Sequence, residues 1–375
     1  MKSKYDLIVI GAGSGGLGTG IGMAKFGFDV LMIEKNKDNI GGECLNSGCI
    51  PSKALIHVAE KVQHAREARQ YGLHVEGDVD ITKVMEYVHA KQDDIRAHES
   101  AEYLRTHEEV EIEIGEARFV AENAVEVNGQ RVEAKKILVA TGSKPRMIKV
   151  PGMENVQVFT NENLFEVKTL PQHLLVVGGG PIGMEMGQSF ARLGSTVTVT
   201  DRGPRIMNKE RAEVSELVQQ RLEKEGLTFY LESKLIEFTP DKQAILETAA
   251  GERKIIPCHA VLVGIGRDIT YDHLDLEKAG IRLKEGKPEI NAFLRAKDNK
   301  NIVFAGDAAH NMLFSHAAEL HTTILLTNFF TPWPFKKKWS TDHFSWVTFT
   351  DPEVATFGFN EAQLKEKGIS YDCID

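Results

Sequence analysis

Short apolar runs alternate along this chain with longer stretches of helical periodicity. Residues 5–10 form an apolar run that ends at glycine, which predicts a buried parallel strand. A helix is predicted next over residues 16–26, followed by a second strand over residues 29–33. The same order returns 167 positions later, with a strand over 174–177, a glycine turn over 178–183, a helix over 184–193 and a strand over 196–200. The pattern therefore indicates a repeated βαβ module and an α/β fold.

The remaining segments continue the alternation and suggest where the chain divides. Further helices are predicted over residues 50–69, 81–105 and 315–330, and further strands over 110–127, 136–139 and 301–304. Residues 141–151, with two prolines and a glycine, predict a linker, and residues 332–339 an aromatic and basic connector. A new element begins at residues 344–348.

The composition is that of an ordinary globular protein. The 375 residues are 42% hydrophobic and 26% charged, and 45 Lys+Arg against 54 Asp+Glu give a formal charge of −9. This acidic balance disfavours nucleic acid as a partner. Four cysteines are too few for an oxidised structural framework. Residues 324–330 are too short to span a bilayer, and Asp6 and the glycines after it interrupt any secretory signal. We therefore expect a cytoplasmic protein without a nucleic-acid or membrane partner.

The first glycine turn has the chemistry of a dinucleotide site. Gly11, Gly13 and Gly16 form a G-x-G-x-x-G motif between a predicted strand and a predicted helix. Such a turn brings backbone amides and the helix N-terminus close to a pyrophosphate. Glu34 lies 18 positions after Gly16, at the end of the next strand, where a carboxylate binds the adenosine ribose.

A second turn of the same kind lies in the repeat. Its glycines are Gly178, Gly180 and Gly183, and its carboxylate is Asp201, again 18 positions after the last glycine. A carboxylate there favours NAD, although Arg202 and Arg205 could hold the 2′-phosphate of NADP. Two dinucleotide sites in one chain indicate hydride transfer from a nicotinamide to a second bound cofactor, most simply a flavin.

Cys44 and Cys49 form a C-x4-C pair within residues 41–53 (GGECLNSGCIPSK). Beside two dinucleotide sites, this pair suggests a redox-active disulfide. Its thiolates need lowered pKa values, which Lys53 and a helix starting after Pro51 could supply. A zinc site is the alternative, but Cys258 and Cys373 lack the neighbours that a second ligand pair would need.

Residues 41–53, together with both glycine turns, resemble the class I flavoprotein disulfide reductases, the group of dihydrolipoamide dehydrogenase, glutathione reductase and mercuric reductase. The resemblance covers essentially the whole chain. Residues 140–142 (ATG), 263–267 (VGIGR) and 305–307 (AGD) resemble flavin-site motifs of that family, and residues 349–353 (FTDPE) resemble the opening of its interface domain. The resemblance implies two Rossmann-like domains, an FAD-binding domain over 1–150 and 273–340 and an NAD(P)-binding domain over 151–272. It also implies the start of an α+β dimerisation domain over 341–375.

The resemblance also implies roles for individual residues. Cys44 would be the interchange thiol that meets substrate, Cys49 the charge-transfer thiol against the flavin, and Lys53 would pair with Glu185 near flavin N5. The implied cofactor-binding residues are Gly11, Gly13, Gly16, Glu34, Gly42, Lys53, Gly115, Thr141, Gly142, Asp307, Gly178, Gly180, Gly183, Asp201 and Gly266. The implied cofactors are FAD and NAD, with NADP as the alternative.

The substrate and the completeness of the enzyme stay open at this stage. Residues 44–46 and 50–55 look most like dihydrolipoamide dehydrogenase, which implies a small disulfide or dithiol, or a lipoyl domain, and a homodimer. A mercuric reductase-like or other disulfide reductase is an alternative. Only residues 344–375 match the family's interface domain, which supplies a His–Glu acid/base pair, so a non-catalytic FAD/NAD-binding module is another alternative.

The histidines and the basic connector have weaker alternative readings. His310, His316 and His321 do not match the His–Glu motif of the family. We expect His316 and His321 to be structural rather than metal ligands, and we expect no metal site. Association of residues 329–339 with a membrane surface is disfavoured, because a lysine run between domains is more often a solvated face.

Overall fold

The computed structural model describes residues 1–374. The helices are α1 Ser14–Lys25, α2 Gly42–Asn46, α3 Cys49–Glu67, α4 Ile81–Arg96, α5 Ala101–His107, α6 Pro181–Leu193, α7 Ala212–Lys224, α8 Ser315–Phe330 and α9 Glu361–Glu366. The strands are β1 Lys4–Ile10, β2 Val30–Glu34, β3 Glu111–Ile114, β4 Arg118–Ala121, β5 Ala124–Val127, β6 Gln130–Val139, β7 Lys144–Pro145, β8 Gln157–Phe159, β9 His173–Val177, β10 Thr196–Thr200, β11 Thr228–Tyr230, β12 Ser233–Thr239, β13 Gln243–Thr248, β14 Arg253–Pro257, β15 Ala260–Val263, β16 Arg267–Asp268, β17 Leu283–Lys284, β18 Lys287–Pro288, β19 Ile302–Phe304, β20 Ser345–Thr348 and β21 Val354–Phe357.

The chain packs as two units, of which the first contains Met1–Cys49, Lys91–Lys144 and Arg267–Ser340. Its sheet has the parallel order β3-β2-β1-β6, with β19 also parallel to β6, and β5 and β4 extend it as antiparallel strands. The register aligns Ile10 with Ile33 and with Val139. Because the carboxyl ends of parallel strands meet at one edge, this register brings the first glycine turn beside the ends of β2 and β6.

Helix α1 packs unusually close to its neighbours within the first unit, and this explains three glycines beyond the turn. A Cβ atom on Gly22 would lie 2.7 Å from Leu326 Cδ1 of α8, and one on Gly18 would lie 3.0 Å from Thr322 Oγ1. Gly20 faces the sheet instead, where a Cβ would lie 2.8 Å from Met32 Cε. These glycines cost helix propensity, but they allow α1 to approach both α8 and the sheet.

The second unit contains Ile50–Ala90, Pro145–Gly266 and Thr341–Asp375. A parallel five-stranded sheet of order β11-β10-β9-β15-β8 forms its centre. β12, β13 and β14 form a separate antiparallel sheet, and β20 pairs with β21 as a hairpin. The strands of the five-stranded sheet are short and mostly buried, as expected for a parallel sheet.

One helix predicted from the sequence needs correction. The single helix predicted over residues 81–105 is wrong: α4 ends at Arg96 and α5 begins at Ala101, because the Ser100 side chain caps α5 by accepting from Tyr103 N at 3.2 Å. The region predicted as strands around turns over 110–127 is resolved into β3, β4 and β5. The division into FAD, NAD(P) and interface domains stays a prediction.

Within residues 1–374, no helix has both the length and the apolar character needed to cross a membrane.

Candidate active site

The first glycine turn is held from two sides within the first unit. Glu34, at the end of β2, accepts a hydrogen bond from Ala12 N at 2.9 Å through Oε2. Gly11 has a φ of +103°, and a Cβ there would lie 2.3 Å from Ala140 O. Gly42 has a φ of +64°, and its Cβ would lie 2.5 Å from Gly13 Cα. The turn therefore accepts only glycine at these positions, and its close backbone packing is the cradle that a pyrophosphate requires.

The residues around this turn fit a dinucleotide. Within the described residues 1–374, no side chain caps the N-terminus of α1, so its first amides are available to a phosphate. Thr141 Oγ1 is buried and has no hydrogen-bond partner among residues 1–374, while the neighbouring Gly142 faces open space. An orphaned buried hydroxyl beside open space is expected where a polar ligand binds. These features agree with FAD binding at this edge of the sheet.

Asp307 lies in a polar cluster of the first unit. Its carboxylate accepts a hydrogen bond from the Ser143 hydroxyl, and Arg267 Nε lies 3.4 Å from its Oδ2. Arg267 Nε also donates to Ser143 Oγ at 2.6 Å, and the guanidinium pairs with Glu43. Ser143, Arg267 and Glu43 were not predicted as site residues from the sequence. Each of the three is adjacent in the sequence to a predicted residue: Ser143 follows Thr141-Gly142, Arg267 follows Gly266, and Glu43 precedes Cys44. This adjacency is the signal that could have identified them.

His321 supports the same loop from inside the core. Its ring is fully buried, and Nδ1 accepts a hydrogen bond from Gly306 N at 3.1 Å. The ring also contacts the Trp339 ring edge-to-face, with centroids 4.4 Å apart. Burial lowers the pKa of His321 to about 4, so the ring is neutral near pH 7. Among residues 1–374, no three His, Cys, Asp or Glu side chains are grouped to hold a metal ion. His321 thus supports the loop that contains Asp307 through its contact with Gly306.

The two cysteines of the pair have different surroundings. Cys44 lies within α2, whereas Cys49 is the first residue of α3, one position before the start predicted at residue 50. Both are half-buried thiols that are not joined in a disulfide, and Cys49 Sγ is hydrogen-bonded to Ser315 Oγ at 2.9 Å. The hydrogen bond to Cys49 and burial raise the pKa of Cys44 well above the ordinary thiol value. The expectation of a lowered pKa is thus wrong for Cys44 in this dithiol form.

Lys53 and Glu185 form an ion pair in the second unit. Lys53 Nζ lies 2.8 Å from Glu185 Oε2, and Glu185 is 7% exposed. The other carboxylate oxygen of Glu185 accepts from Phe349 N at 2.9 Å. Lys53 Nζ lies 4.4 Å from the centroid of the Phe349 ring. The structure therefore brings this predicted pair together and adds Phe349, which the sequence analysis had considered only as part of a motif.

The second glycine turn repeats the geometry of the first. Asp201 Oδ2 accepts from Gly179 N at 2.7 Å, and its Oδ1 accepts from Gly203 N at 2.6 Å. A Cβ on Gly183 would lie 2.1 Å from Gly178 O. A Cβ on Gly180 would instead have no neighbouring atom of residues 1–374 within 4 Å. Backbone that is closed on one side and open on the other suits the approach of a pyrophosphate.

The remaining predicted residues lie at the edges of these turns. Gly115 N donates to Glu34 O at 2.9 Å, which ties β3 to the end of β2. Gly266 has a φ of +113°, and its carbonyl accepts from Arg146 N at 2.9 Å. Of the predicted site residues, the first unit holds Gly11, Gly13, Gly16, Glu34, Gly42, Cys44, Cys49, Gly115, Thr141, Gly142 and Asp307; the second holds Lys53, Gly178, Gly180, Gly183, Glu185, Asp201 and Gly266.

Residues 5–322 match the sequence profile of a family described as pyridine nucleotide-disulphide oxidoreductase. The chain belongs to this family. It is 33% identical, over 98% of its length, to a mercuric reductase of Lysinibacillus sphaericus, of which it covers 67%. It is 32% identical to a mercuric reductase of Bacillus cereus, of which it covers 57%. It is 34% identical to a dihydrolipoyl dehydrogenase of Thermus scotoductus, of which it covers 78%.

Solved structures of flavoprotein disulfide reductases have the same fold. The HOCl-induced flavoprotein disulfide reductase RclA from Escherichia coli superposes with a TM-score of 0.82 at 24% identity, covering 97% of this chain and 80% of that one. The α/β fold inferred from the glycine repeat is thereby confirmed. Pyridine nucleotide-disulphide oxidoreductases bind FAD and depend on NAD(P), which confirms the cofactor classes and favours an enzyme over a non-catalytic module.

Proposed function

We propose that this chain transfers two electrons from NADH through FAD to a Cys44–Cys49 disulfide, which then reduces a disulfide substrate. The observation that carries the proposal is the asymmetry of the cysteine pair. Cys44 retains a proton because of its raised pKa, whereas Cys49 stands at the first turn of a 19-residue helix. A helix N-terminus stabilises a thiolate, so Cys49 is the sulfur suited to carry the charge.

The electron balance of the cycle is simple. One hydride from NADH breaks the S–S bond and leaves NAD⁺, one thiol and one thiolate, so the two sulfurs share the single proton that the hydride carried. Bound FAD supplies the two-electron carrier between the nicotinamide and the disulfide. Cys44 then attacks one sulfur of the substrate to give a mixed disulfide, and its proton passes to the substrate sulfur that leaves. Cys49 attacks Cys44 in turn, which releases the reduced substrate and restores the Cys44–Cys49 bond.

The other residues would hold the cofactors. We assign FAD to the first glycine turn with Glu34, Thr141 and Asp307, and NAD to the second turn with Asp201. Asp201 supports NAD because a carboxylate at this strand end suits ribose hydroxyls and repels a 2′-phosphate. Lys53 and Glu185 would place a positive charge, balanced by a buried carboxylate, beside the flavin. The corresponding domains would be residues 1–150 and 273–340 for FAD, and 151–272 for NAD.

The substrate we favour is a small dithiol–disulfide such as lipoamide, free or on a lipoyl domain. The relatives named dihydrolipoyl dehydrogenase, and the residues around Cys44 and Cys49, support this choice. Reduction of mercuric ion is the second candidate, because several relatives at 32–33% identity are named mercuric reductases. We further propose that the enzyme acts as a homodimer with residues 341–375 belonging to an interface domain.

A substrate panel tests this proposal. NADH oxidation by the FAD-loaded protein is followed with oxidised lipoamide, glutathione disulfide and mercuric ion, and each is repeated with NADPH. We expect lipoamide to give the highest rate with NADH, Cys44→Ser to abolish it, and the exposed Cys373→Ser to leave it unchanged. Equal turnover by wild type and Cys44→Ser would overturn the role of the disulfide, and a preference for mercuric ion would favour the second candidate.

A further inference from the structure

One face of helix α6 binds the segment 349–351. Glu185, Gln188 and Arg192 follow one another at i, i+3 and i+7, so their side chains emerge on the same side of the helix. Glu185 accepts from Phe349 N at 2.9 Å. Gln188 accepts from Asp351 N at 2.8 Å and donates to Asp351 O at 3.0 Å. Arg192 pairs with the Asp351 carboxylate at 2.5 Å.

These three side chains are deeply buried, which makes the contacts part of the fold. Glu185, Gln188 and Arg192 are 7%, 3% and 4% exposed. Buried polar and charged groups need partners, since an unpaired one loses its hydration without compensation. The backbone and carboxylate of residues 349–351 supply many of those partners, and Glu225 supplies a second partner for Arg192. The segment is therefore fixed on α6.

Fixing this segment places Phe349 against both members of the Lys53–Glu185 pair. The Phe349 amide occupies Oε1 of Glu185, which leaves Oε2 for Lys53 at 2.8 Å. The Phe349 ring lies 4.4 Å from Lys53 Nζ, within the range of a cation–π contact. The Lys53 side chain is 37% exposed, so the ring covers part of an ammonium group that Glu185 alone would leave open to water.

We propose that Phe349 is a positioning residue that holds the Lys53 ammonium in place for the flavin site. Its amide directs the Glu185 carboxylate toward Lys53, and its ring covers a face of the ammonium. Without the ring, the flexible lysine side chain would sample other rotamers and place its charge less well. The inference rests on the proposed function for its catalytic consequence, but the contact itself is independent of turnover.

Nuclear magnetic resonance of the lysine ammonium groups tests the contact directly. In ¹⁵N-lysine-labelled, FAD-loaded protein, the Lys53 signal is identified by its loss in Lys53→Arg. We expect an upfield ring-current shift of its protons, lost in Phe349→Leu and retained in Phe349→Tyr. The matched control is Phe357→Leu in the same hairpin, which should leave the signal in place. A wild-type Lys53 signal at the position of solvated lysines would overturn the proposal, even if Phe349→Leu failed to fold.

The reduction potential of the bound flavin tests the consequence. Equilibration with a reference dye should show that Phe349→Leu disfavours the reduced flavin by about twofold to fivefold, which is no more than the whole free energy of a partly exposed cation–π contact. Phe349→Tyr should restore the wild-type ratio, and Phe357→Leu should not change it. An unchanged potential in a folded Phe349→Leu variant would show that Phe349 only packs, which would contradict the proposal. Failure of NADH to reduce wild-type flavin would instead contradict the proposed function and leave the ring-current result standing.

Discussion

The carboxylate of Glu34 accepts a hydrogen bond from the backbone nitrogen of Ala12 at 2.9 Å, so the acid that ends β2 also fastens the first glycine turn. Asp201 does the same for Gly179 in the second turn, at 2.7 Å. Each carboxylate therefore holds its turn, and we propose that each also binds a ribose. The repeated geometry follows from the repeated spacing of 18 positions in the sequence.

Removing these two carboxylates one at a time should separate the two cofactor sites. Glu34→Ala leaves the buried Ala12 amide unpaired, so we expect a loss of about 1–3 kcal/mol in the free energy of unfolding and weaker FAD retention. Asp201→Ala should instead weaken NADH binding and retain FAD. FAD is measured by its fluorescence after ultrafiltration, and NADH by titration. A Glu34→Ala protein that keeps FAD but loses NADH affinity would reverse our assignment.

The raised pKa of Cys44 predicts how the reduced protein reacts with alkylating agents. Because only the thiolate reacts, we expect iodoacetamide to modify Cys44 slowly near pH 8 and faster as the pH rises further. Cys49→Ser removes the sulfur whose hydrogen bond contributes most to the shift, so reaction at Cys44 should move to lower pH. Peptide mass spectrometry gives the rate, with the exposed Cys373 as an internal reference. Rapid modification of Cys44 below pH 7 would contradict the structure.

His321 predicts a pH dependence of stability. Its pKa is lowered to about 4 in the folded protein, so the unfolded chain binds a proton that the folded one does not. Stability is therefore lost as the pH falls below about 6.5, reaching roughly 3 kcal/mol near pH 4 from this group. His321→Gln keeps an acceptor for Gly306 N but cannot titrate, so its unfolding free energy should fall less over that interval. His74→Gln, at an exposed position, is the control and should retain the wild-type slope.

The parts of the fold that the sequence predicted are those encoded locally. The buried strands, the glycine turns and the helix over residues 315–330 follow from runs and spacings within about 30 positions. Ser100 is also a local signal, because an N-cap serine marks the start of α5, although one helix was predicted to continue through this position. The contacts of Gly22 with Leu326, and of Gly306 with His321, depend on packing between α1, α8 and the Asp307 loop, which no local pattern encodes.

The Lys53–Glu185 ion pair likewise depends on packing between segments that are distant in the sequence. Lys53 and Glu185 lie 132 positions apart, and their ion pair was expected only from the family resemblance. The contact of both with Phe349 was not expected, because it depends on how α6 binds residues 349–351. The shift of the Cys44 pKa also depended on the structure, since it arises from the hydrogen bond to Cys49 and from burial. Residue types predicted the redox chemistry, while the raised pKa of Cys44 follows from contacts that only the three-dimensional packing provides.

Anaerobic addition of NADH to the FAD-loaded protein tests the central claim most directly. If electrons pass through the flavin to the Cys44–Cys49 disulfide, a long-wavelength absorption band from a thiolate beside oxidised flavin should appear. The band should be absent in Cys49→Ala, which loses that thiolate, and retained in Cys373→Ser. Flavin bleaching by NADH without this band in the wild-type protein, or an undiminished band in Cys49→Ala, would contradict the account.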